Sequence, residues 1–400
     1  MSAAPKWLTA TPLVFGENLQ FWDRDAGLLC LGLRQLGQDS RFVALGETTS
    51  VSPTQPLITG RIEDFHDPAW WRQWGATGVI LNAWAAPRYE PVARAIKTAG
   101  LRLVVRLDSD GCKSPRLNAP RYYQFMRLHF KDRGLIWPRL AALAKTALHL
   151  VSRAAHDDGM CAHLGHADLI TIESPLAQGW FNELLFRLNR VDLASRVRVL
   201  PHPVTEDFRI SVEVSKRPVI LAAGRWESHF KDTPKLIRVL GAVLGRQPDA
   251  RALVIGPGES EVRRELARLP AGQLARIELT GPQPHRELAR QMQGAQVIFC
   301  SSRSESFHLV SAEGLCCGCS VVGSAMIPSM HWFTAEQSGT LAGDRSDGAL
   351  IAALEAELGK WRLGQRDAGR ISAMWCARVH ATAVATEAMR LVGELPTSSR

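Results

Sequence analysis

The sequence contains no run of about 18 uncharged apolar residues, the length that a membrane-spanning helix requires. It also begins without the charged start and apolar segment of a secretory signal peptide. These two absences favour a cytoplasmic protein. Its eight cysteines are therefore expected to be reduced thiols and not a disulfide framework.

Patterns for metal and nucleic-acid binding are missing as well. Cys316, Cys317 and Cys319 are crowded together, but no second cysteine pair or spaced pair of histidines accompanies them. We expect these thiols to fill apolar space, with no metal site. No helix-turn-helix, zinc-finger or RNP pattern occurs, so a nucleic-acid partner is not expected.

The sequence does contain enough apolar residues to form a large buried core. Hydrophobic residues make up 46% of the 400 residues and charged residues 22%, which is typical of a globular chain. A chain of this length usually forms about two domains. Basic residues exceed acidic ones and give a formal net charge of +9.

Most of that charge lies in residues 110–155. This segment holds nine lysines and arginines against two acidic residues, a net charge of +7, and Tyr122, Tyr123 and Trp137 lie among them. The helix-like run LAALAKTALHLV lies near its end. A basic, aromatic and amphipathic segment suits an anionic membrane surface or an acidic acceptor. The alternative is a helical insertion, at about 112–155, whose arginines are only solvated.

Apolar runs along the chain alternate between strand-like and helix-like patterns, which predicts an α/β fold with parallel sheets. Strands are expected at 11–15, 41–45, 78–81, 101–107, 167–174, 196–200, 219–224, 252–255, 277–281, 296–300 and 320–322. Helices are expected at 25–36, 90–99, 140–151, 178–188, 234–244, 286–292, 350–361 and 372–391. Trp70, Trp71 and Trp74 are expected to pack over a sheet edge, and an aromatic sugar platform is the alternative.

The stretch 301–324, SSRSESFHLVSAEGLCCGCSVVGS, predicts a polar loop, a helix, a glycine stop and a strand. Glu305 lies in the loop and Glu313 on the helix, with seven residues between them. The helix starts at about Phe307 to Leu309, where backbone N–H groups have no intrahelical partner and suit a phosphate group. Acids on either side of such a site can hold hydroxyl groups at both ends of a bound diphosphate, as a sugar and a ribose present them.

Residues 305–313, ESFHLVSAE, and the following GLCCGCSVV resemble the Glu-x7-Glu motif of retaining glycosyltransferases with the GT-B fold, in particular the large family 4 group. The usual form there is Glu-Gly-Phe-Gly-Leu, three further residues, and Glu-Ala-Met-Ala-Cys-Gly-x-Pro-Val-Val. This chain departs from that form at Ser306, His308, Gly314, Leu315, Cys316 and Ser320. The two glutamates, the Phe, the Leu, the Cys-Gly stop and the Val-Val strand are all kept.

Two further segments carry the resemblance. Residues 224–232, GRWESHFKD, are similar to the family's Gly-Arg…Lys-Gly segment, with Lys-Asp in place of Lys-Gly and one residue more than usual between the two cations. Residues 201–208, PHPVTEDF, are similar to the junction Pro-Asn-Gly-Val-Asp…Phe, with His202 and Pro203 in place of Asn and Gly. Before residue 167 the resemblance is one of architecture only.

The resemblance implies an α/β chain of two Rossmann-like doubly wound domains that face a cleft, which is the GT-B architecture. The first domain, 1–205, would take the acceptor and carry the basic helical insertion at about 112–155. The second domain, 206–375, would hold the nucleotide-sugar donor. The last residues, 376–400, would form a helix that returns to the first domain.

The resemblance also implies the transfer of a sugar, with retention of configuration, from a UDP- or GDP-type nucleoside-diphosphate sugar to an acceptor. Arg225 and Lys231 would neutralise the charge that builds on the leaving diphosphate. Glu305 would hold hydroxyl groups of the transferred sugar, and these three residues are the catalytic candidates. The implied donor-binding residues are Gly224, Gly256, Gly281, Pro282, Gln283, Phe307, His308, Leu309 and Glu313. No cofactor or metal is expected, because two cations and a helix start can stabilise the same charge.

The same resemblance assigns the acceptor to the first domain. Gly16 and Glu17 follow the first strand, where the family has a glycine-rich loop. Asp108 and Asp110 follow the strand at 101–107, where the family has a histidine or an acid that meets the sugar or the acceptor; an Asx turn is the alternative. The run Asp-Arg-Asp at 23–25 begins a helix, and surface capping is favoured there over a role in the cleft.

Two other classes of function are compatible with these motifs. Non-hydrolysing epimerases of UDP-sugars share the fold and the phosphate sites, but they need an acid–base pair beside the sugar, and no such pair is identified. A non-catalytic nucleotide-sugar binder would not need Arg225, Lys231, Glu305 and Glu313 together. We expect a cytoplasmic location, with peripheral contact through 112–155 to the inner face of an anionic membrane as a further expectation.

Overall fold

The computed structural model describes residues 6–14, 22–52 and 54–395, and they form two compact units. The first unit comprises the chain up to Gln124, then Ala142–Thr205, and the residues from Val379 onward. The second unit comprises Phe125–Ala141 and Glu206–Arg378. The sequence placed the whole insertion at 112–155 in the first domain, whereas the structure groups its middle part with the second unit.

The first unit is built on an eight-stranded sheet. Its strands are β1 Trp7–Val14, β2 Arg41–Leu45, β3 Ser50–Val51, β4 Leu57–Gly60, β5 Gly78–Asn82, β6 Arg102–Arg106, β7 Leu169–Ile172 and β8 Val197–Val199. Their order in the sheet is β3-β4-β2-β1-β5-β6-β7-β8. Neighbouring strands run parallel except for the antiparallel pair β3 and β4.

Both faces of this sheet are buried, as parallel sheets require. Val79 and Leu81 of β5 lie in one buried cluster, and Ile80 between them lies in another on the opposite face. The helices of the first half are Asp25–Gln35, Ile62–Phe65, Pro68–Arg72, Glu90–Thr98, Pro115–Asp132, Pro138–Val151, Gly159–Gly165, Pro175–Arg187 and Val191–Ala194. Trp70 and Trp71 are buried against Phe65, which confirms the packing interpretation and excludes an exposed sugar platform.

The last helix, Ala381–Gly393, packs on the first unit, as the resemblance implied. Val384, Ala388 and Leu391 lie in the cluster that contains Trp7 of β1. The sequence predicted one continuous helix at 372–391, and this is wrong. Ala368–Val379 and Ala381–Gly393 are separate helices, because the extended residue His380 pairs with Val204 between them.

The second unit is built on a six-stranded parallel sheet. Its strands are β9 Arg217–Ala223, β10 Arg251–Ile255, β11 Ile277–Gly281, β12 Ala295–Phe299, β13 Ser320–Ser324 and β14 Gly339–Ala342, in the order β11-β10-β9-β12-β13-β14. The helices of this half are Thr233–Arg246, Glu259–Leu266, Ala271–Leu274, His285–Gly294, Leu309–Cys316, Pro328–Phe333, Asp347–Arg362 and Ala368–Val379.

Most predicted strands lie within two residues of the observed ones. The first strand begins at Trp7 and not at residue 11. β3, β4 and β14 were not predicted, because they are short and lie at or next to sheet edges, where the continuous apolar run of a buried parallel strand is weak. All eight cysteines are free thiols, and seven of them are buried. Within 6–14, 22–52 and 54–395 no helix is long and apolar enough to cross a bilayer.

Candidate functional site

Three glycines meet at the carboxyl ends of neighbouring strands in the second unit. Gly224 follows β9, Gly256 follows β10 and Gly281 ends β11. The Gly256 N–H donates to the Gly281 carbonyl at 2.8 Å, and the Gly224 N–H donates to the Ile255 carbonyl at 3.0 Å. Gly256 has φ of 120°, and a Cβ there would lie 2.0 Å from the Gly224 oxygen. Only glycine therefore fits where these two strand ends approach each other.

Residues 225–231 form a compact loop that Trp226 anchors to the strand ends. The buried Trp226 donates from its backbone to the Pro257 carbonyl at 2.8 Å and from its indole to the Ile255 carbonyl at 3.0 Å. Inside the loop, the Ser228 N–H donates to the Arg225 carbonyl at 3.1 Å and the Lys231 N–H to the Ser228 carbonyl at 3.0 Å. This role of Trp226 was not predicted from the sequence, although an aromatic residue in a polar loop is a signal for an anchor.

Lys231 and Glu305 are brought together by this loop and the loop after β12. The Lys231 ammonium donates to Glu305 Oε1 at 2.7 Å, and a Cβ on Gly224 would lie 3.3 Å from Lys231 Cε. Burial opposes ionisation of Glu305, but the neighbouring Lys231 outweighs it and lowers the pKa of that carboxyl. The two side chains have the geometry of an ion pair. Arg225 is exposed, and its side chain has no hydrogen bond or ion pair within the described part of the chain.

Asp232 follows Lys231 and is held in the left-handed region, with φ of 54°. Arg303 donates to one of its carboxylate oxygens at 2.7 Å and Arg345 to the other at 2.6 Å. Burial opposes its ionisation, but the two arginines lower the pKa of Asp232. Neither arginine was identified from the sequence. Arg303 lies two residues before Glu305, which was an available signal, whereas Arg345 is remote and had none.

The helix Leu309–Cys316 begins directly after this loop. His308 precedes it with φ of 71°, and its Nδ1 lies 2.7 Å from the Ser311 hydroxyl. Burial lowers the pKa of His308 to about 4, so the imidazole is neutral at physiological pH. Phe307 is buried and packs edge-on to Phe333 at 5.0 Å between ring centroids, so its side chain belongs to the core.

The remaining donor-side candidates lie on the same unit. Glu313 is in the helix and nearly buried. Gln283 donates to the Thr280 carbonyl at 3.0 Å and thereby closes the turn that contains the exposed Pro282.

A second cluster of ionisable groups lies at the carboxyl edge of the first sheet. Asp108 follows β6, Glu173 follows β7 and His202 follows β8, while Asp25 begins the helix Asp25–Gln35. His202 Nδ1 contacts the Asp25 carboxylate, and its Nε2 lies 3.3 Å from Asp108 Oδ1 and 3.9 Å from Glu173 Oε1. The surface-capping interpretation is therefore wrong for Asp25. Sequence reasoning did not connect these four residues because they come from four separate segments.

Asp110, another acceptor-side candidate, has partners outside this cluster. Asp110 Oδ1 accepts from the Cys112 N–H at 3.0 Å, as in the Asx-turn alternative, and its Oδ2 pairs with Arg121 at 2.8 Å. Gly16 and Glu17 lie outside the described residues.

The ionisable groups around His202 affect one another's pKa values. Glu173 is fully buried and accepts from the Asp108 N–H at 2.8 Å and the Ser109 N–H at 2.7 Å. Burial raises its pKa to about 7, against the opposite effect of His202. Burial disfavours a charged His202 too, but Asp25 and Asp108 outweigh it and raise the pKa of His202 well above its ordinary value.

Replacing His202 with glutamine should destabilise the first unit most at low pH. A histidine whose pKa is raised on folding stabilises the fold fully below its unfolded pKa of about 6.5. That stabilisation is lost as the pH rises through the folded-state pKa. Urea unfolding at intervals between about pH 6 and pH 9 should therefore show a shrinking difference in unfolding free energy between the native protein and H202Q. A difference that stays constant over this range would contradict the ion pairing.

Comparisons with known proteins show what this chain resembles. Residues 203–364 match the model of glycosyl transferases group 1. The GDP-mannose:cellobiosyl-diphosphopolyprenol alpha-mannosyltransferase of Xanthomonas campestris is 26% identical over 158 residues, which are 38% of this chain and 40% of that protein. The match thus spans less than half the length of this curated relative.

Solved structures match nearly the whole chain. HepE of Anabaena in complex with UDP and glucose has a TM-score of 0.63 at 16% identity and covers 98% of this chain and 100% of its own. Sucrose-phosphate synthase of Thermosynechococcus elongatus has a TM-score of 0.62 at 16% identity and covers 98% and 99%. At these identities the likeness shows the fold, and the expected fold class is confirmed. The chain thus has the GT-B fold, and its residues 203–364 are similar to the glycosyl transferases group 1 family.

Proposed function

We propose that this protein is a retaining glycosyltransferase that moves a sugar from a nucleoside-diphosphate sugar to an acceptor. The observation that carries the proposal is the ion pair of Lys231 and Glu305, which lies beside His308 at the start of the helix Leu309–Cys316. A cation, a carboxylate and free backbone N–H groups are the groups that a diphosphate and an adjoining sugar need. All of them lie within the part of the chain that matches the family.

Each charged group has a distinct part in the proposed reaction. Lys231 and the exposed Arg225 stabilise the negative charge that builds on the leaving diphosphate. Glu305 accepts hydrogen bonds from hydroxyl groups of the transferred sugar, and Glu313 from those of the ribose. Because Lys231 and Glu305 hold each other in place before the donor arrives, little reorganisation is needed when it binds. The acceptor binds the first unit, where the carboxylates around His202 can accept from its hydroxyl groups.

We propose that the reaction needs no resident metal ion. Asp108 and Asp110 have the bare spacing of a metal-binding pair of acids, but Asp108 contacts His202 and Asp110 pairs with Arg121. Two cations and a helix start supply the electrostatic role that a metal ion would otherwise have.

The donor is proposed to be a UDP- or GDP-sugar. The relative from Xanthomonas campestris is named for GDP-mannose, and the HepE structures contain UDP or UDP-glucose. Isothermal titration with UDP, GDP, UDP-glucose and GDP-mannose, in the presence of EDTA, tests the proposal directly. We expect one nucleotide type to bind and its sugar to be transferred. Failure of all four to bind would contradict the function, and a need for Mn²⁺ or Mg²⁺ would contradict the metal-free mechanism.

The same experiment separates the two alternatives. An epimerase would convert the bound sugar without an acceptor, and the changed nucleotide sugar would appear by chromatography. A non-catalytic binder would bind the nucleotide sugar and leave it unchanged with every acceptor offered. The pairing of Glu305 with Lys231 favours transfer, because epimerisation requires an acid and a base that are available to exchange protons with the sugar.

We also propose that the protein contacts an anionic membrane through an apolar tip, defined as Ile136, Trp137 and Leu140. These side chains are 85%, 70% and 62% exposed. Arg133 and Arg139 lie beside them and are exposed as well. Exposed apolar and basic side chains that lie next to each other in the chain suit a negatively charged bilayer surface. A lipid-linked acceptor of the kind named for the Xanthomonas campestris relative would be reached from such a surface.

Replacing Ile136 and Trp137 with serine should weaken binding to vesicles that contain phosphatidylglycerol, because the apolar part of the contact is lost while the basic residues remain. Each basic residue near an anionic bilayer contributes about 1 kcal/mol and is screened within a Debye length, so the native protein should bind weakly and release at high salt. Co-sedimentation with anionic and neutral vesicles measures this. Val212, which is fully exposed and lies in the second unit, gives the matched control Val212→Ser. Equal binding to both lipids, or equal effects of the two changes, would contradict the proposal.

A further inference from the structure

The helix Pro115–Asp132 ends on the loop that carries Arg225 and Lys231. Asp132 Oδ2 accepts from the Ser228 hydroxyl at 2.6 Å. Asp132 Oδ1 accepts from the His229 backbone N–H at 2.7 Å and lies 2.9 Å from His229 Nδ1. One carboxylate thus binds two consecutive residues in the middle of the loop.

A ring contact reinforces this arrangement two helical turns earlier. The Phe125 ring packs on the Phe230 ring at 5.6 Å between centroids, with 57° between their planes. Phe125 and Asp132 are seven residues apart, so both side chains lie on the same side of the helix. That side of the helix therefore contacts the loop at Ser228, His229 and Phe230, immediately before Lys231.

The rest of the loop is held from elsewhere. Trp226 anchors its start, and the Phe230 carbonyl accepts from the Arg303 N–H at 2.7 Å near its end. Between these points, the described structure gives Ser228 and His229 no hydrogen-bond partner outside the loop other than Asp132. The Ser228 hydroxyl also accepts from the Phe230 N–H at 3.3 Å. It therefore links the backbone of the loop to the Asp132 carboxylate.

The position of Asp132 indicates that it serves the loop and does not stabilise its own helix. The C-terminus of a helix carries partial negative charge, so an aspartate there is unfavourable for the helix. Asp132 is the last residue of the helix. Asp132 as a whole residue is exposed, but its side chain is only 24% exposed, because the side chain is turned onto the loop.

We propose that Asp132 is a positioning residue, which holds the loop 225–231 so that Arg225 and Lys231 are presented to the donor's diphosphate. This loop has one residue more between its two cations than the family segment it resembles, and a longer loop costs more entropy to order. The anchor comes from a helical segment outside the region 203–364 that matches the family model. The inference rests on the proposed function, because it assigns the loop to diphosphate binding.

The test compares Asp132→Ala and Asp132→Asn with the native protein. Hydrogen exchange over residues 226–231 reports the loop without any ligand, and titration with UDP and GDP reports diphosphate binding. We expect faster exchange in the loop and about 10-fold weaker binding of the preferred nucleotide in D132A. D132N keeps one acceptor oxygen and should lie between D132A and the native protein. The melting temperature should change little, because the helix loses an unfavourable terminal charge.

Asp158→Ala is the matched control, since Asp158 is an exposed acid that pairs with Arg153 on the first unit. It should leave both readouts unchanged. Faster loop exchange in D132A with unchanged nucleotide affinity would overturn the positioning role and leave the proposed function standing. Unchanged exchange would overturn the anchoring itself. If the native protein binds neither nucleotide, the proposed function fails and the positioning role fails with it.

Discussion

Replacing Lys231 with alanine should lower turnover by about 10²–10³-fold, the loss that follows removal of one preorganised donor from a site of developing charge. Lys231 is already held by Glu305 at 2.7 Å, so under the proposed mechanism its ammonium would need little rearrangement to meet a diphosphate. Arg225→Ala should reduce turnover in the same range. Initial-rate kinetics with the donor identified by titration would measure both changes.

In K231A, a loss of turnover must be distinguished from a loss of stability, because removing Lys231 also leaves Glu305 without its ion-pair partner. Removing one partner of a buried ion pair costs about 3–5 kcal/mol, and this pair is 15–20% exposed, so a smaller loss is expected. The double variant K231A/E305A removes both charges and should recover part of the melting temperature without recovering turnover. Normal turnover in a folded K231A protein would rule out the proposed role of the cation.

Lys235 provides the matched control for the loss of one positive charge. It lies four residues further along, in the helix Thr233–Arg246, and pairs with Asp347. Asp347 also pairs with Arg238 at 2.8 Å, so Lys235→Ala leaves no carboxylate unpaired. Turnover should therefore change far less in K235A than in K231A. Equal losses in the two variants would point to a general electrostatic effect of the unit.

The part of the site that the sequence predicted best is the part built from neighbouring residues. The helix Leu309–Cys316 and the strand β13 Ser320–Ser324 were predicted because apolar spacing and a glycine stop are local signals. The two candidate acids, Glu305 and Glu313, lie in the loop and on the helix as expected.

Contacts between distant segments could not be predicted in this way. Asp25 and His202 are 177 residues apart in the chain, and Asp132 and His229 are 97 residues apart. Nothing in local spacing indicates that such residues meet, since the sheet order and the helix packing bring them together. Arg345, which binds Asp232 across 113 residues, was missed for the same reason.

The structure also explains two departures from the family motif. Asp232 and His308 stand where the family form has glycine, and both have positive φ, of 54° and 71°. Glycine takes this conformation without strain, whereas other residues need compensation. Asp232 gains two arginine partners, and His308 gains a hydrogen bond to Ser311. The backbone geometry of the motif is therefore kept although its glycines are not.

An alanine at Gly256 would gain no hydrogen bond or ion pair that could offset its backbone strain. Gly256→Ala should therefore lower the melting temperature by roughly 5–15 °C. A Cβ there would lie 2.0 Å from the Gly224 carbonyl oxygen, and φ of 120° is strained for any L side chain. Strain and overpacking each cost about 1–3 kcal/mol, and a domain of this size loses about 2–4 °C per kcal/mol. The obstacle is backbone, so no side-chain rotation relieves it.

Calorimetric melting of Gly256→Ala beside Gly272→Ala checks this expectation. Gly272 lies in the short helix Ala271–Leu274, and a Cβ there would meet no atom within 4 Å. Alanine is favoured over glycine in a helix by about 1 kcal/mol, so G272A should match or exceed the native melting temperature. Because Gly224 precedes Arg225, a displaced strand end in G256A should also weaken nucleotide binding. Melting of G256A at the native temperature would mean that the two strand ends can separate, and the close approach would then not be what requires glycine at this position.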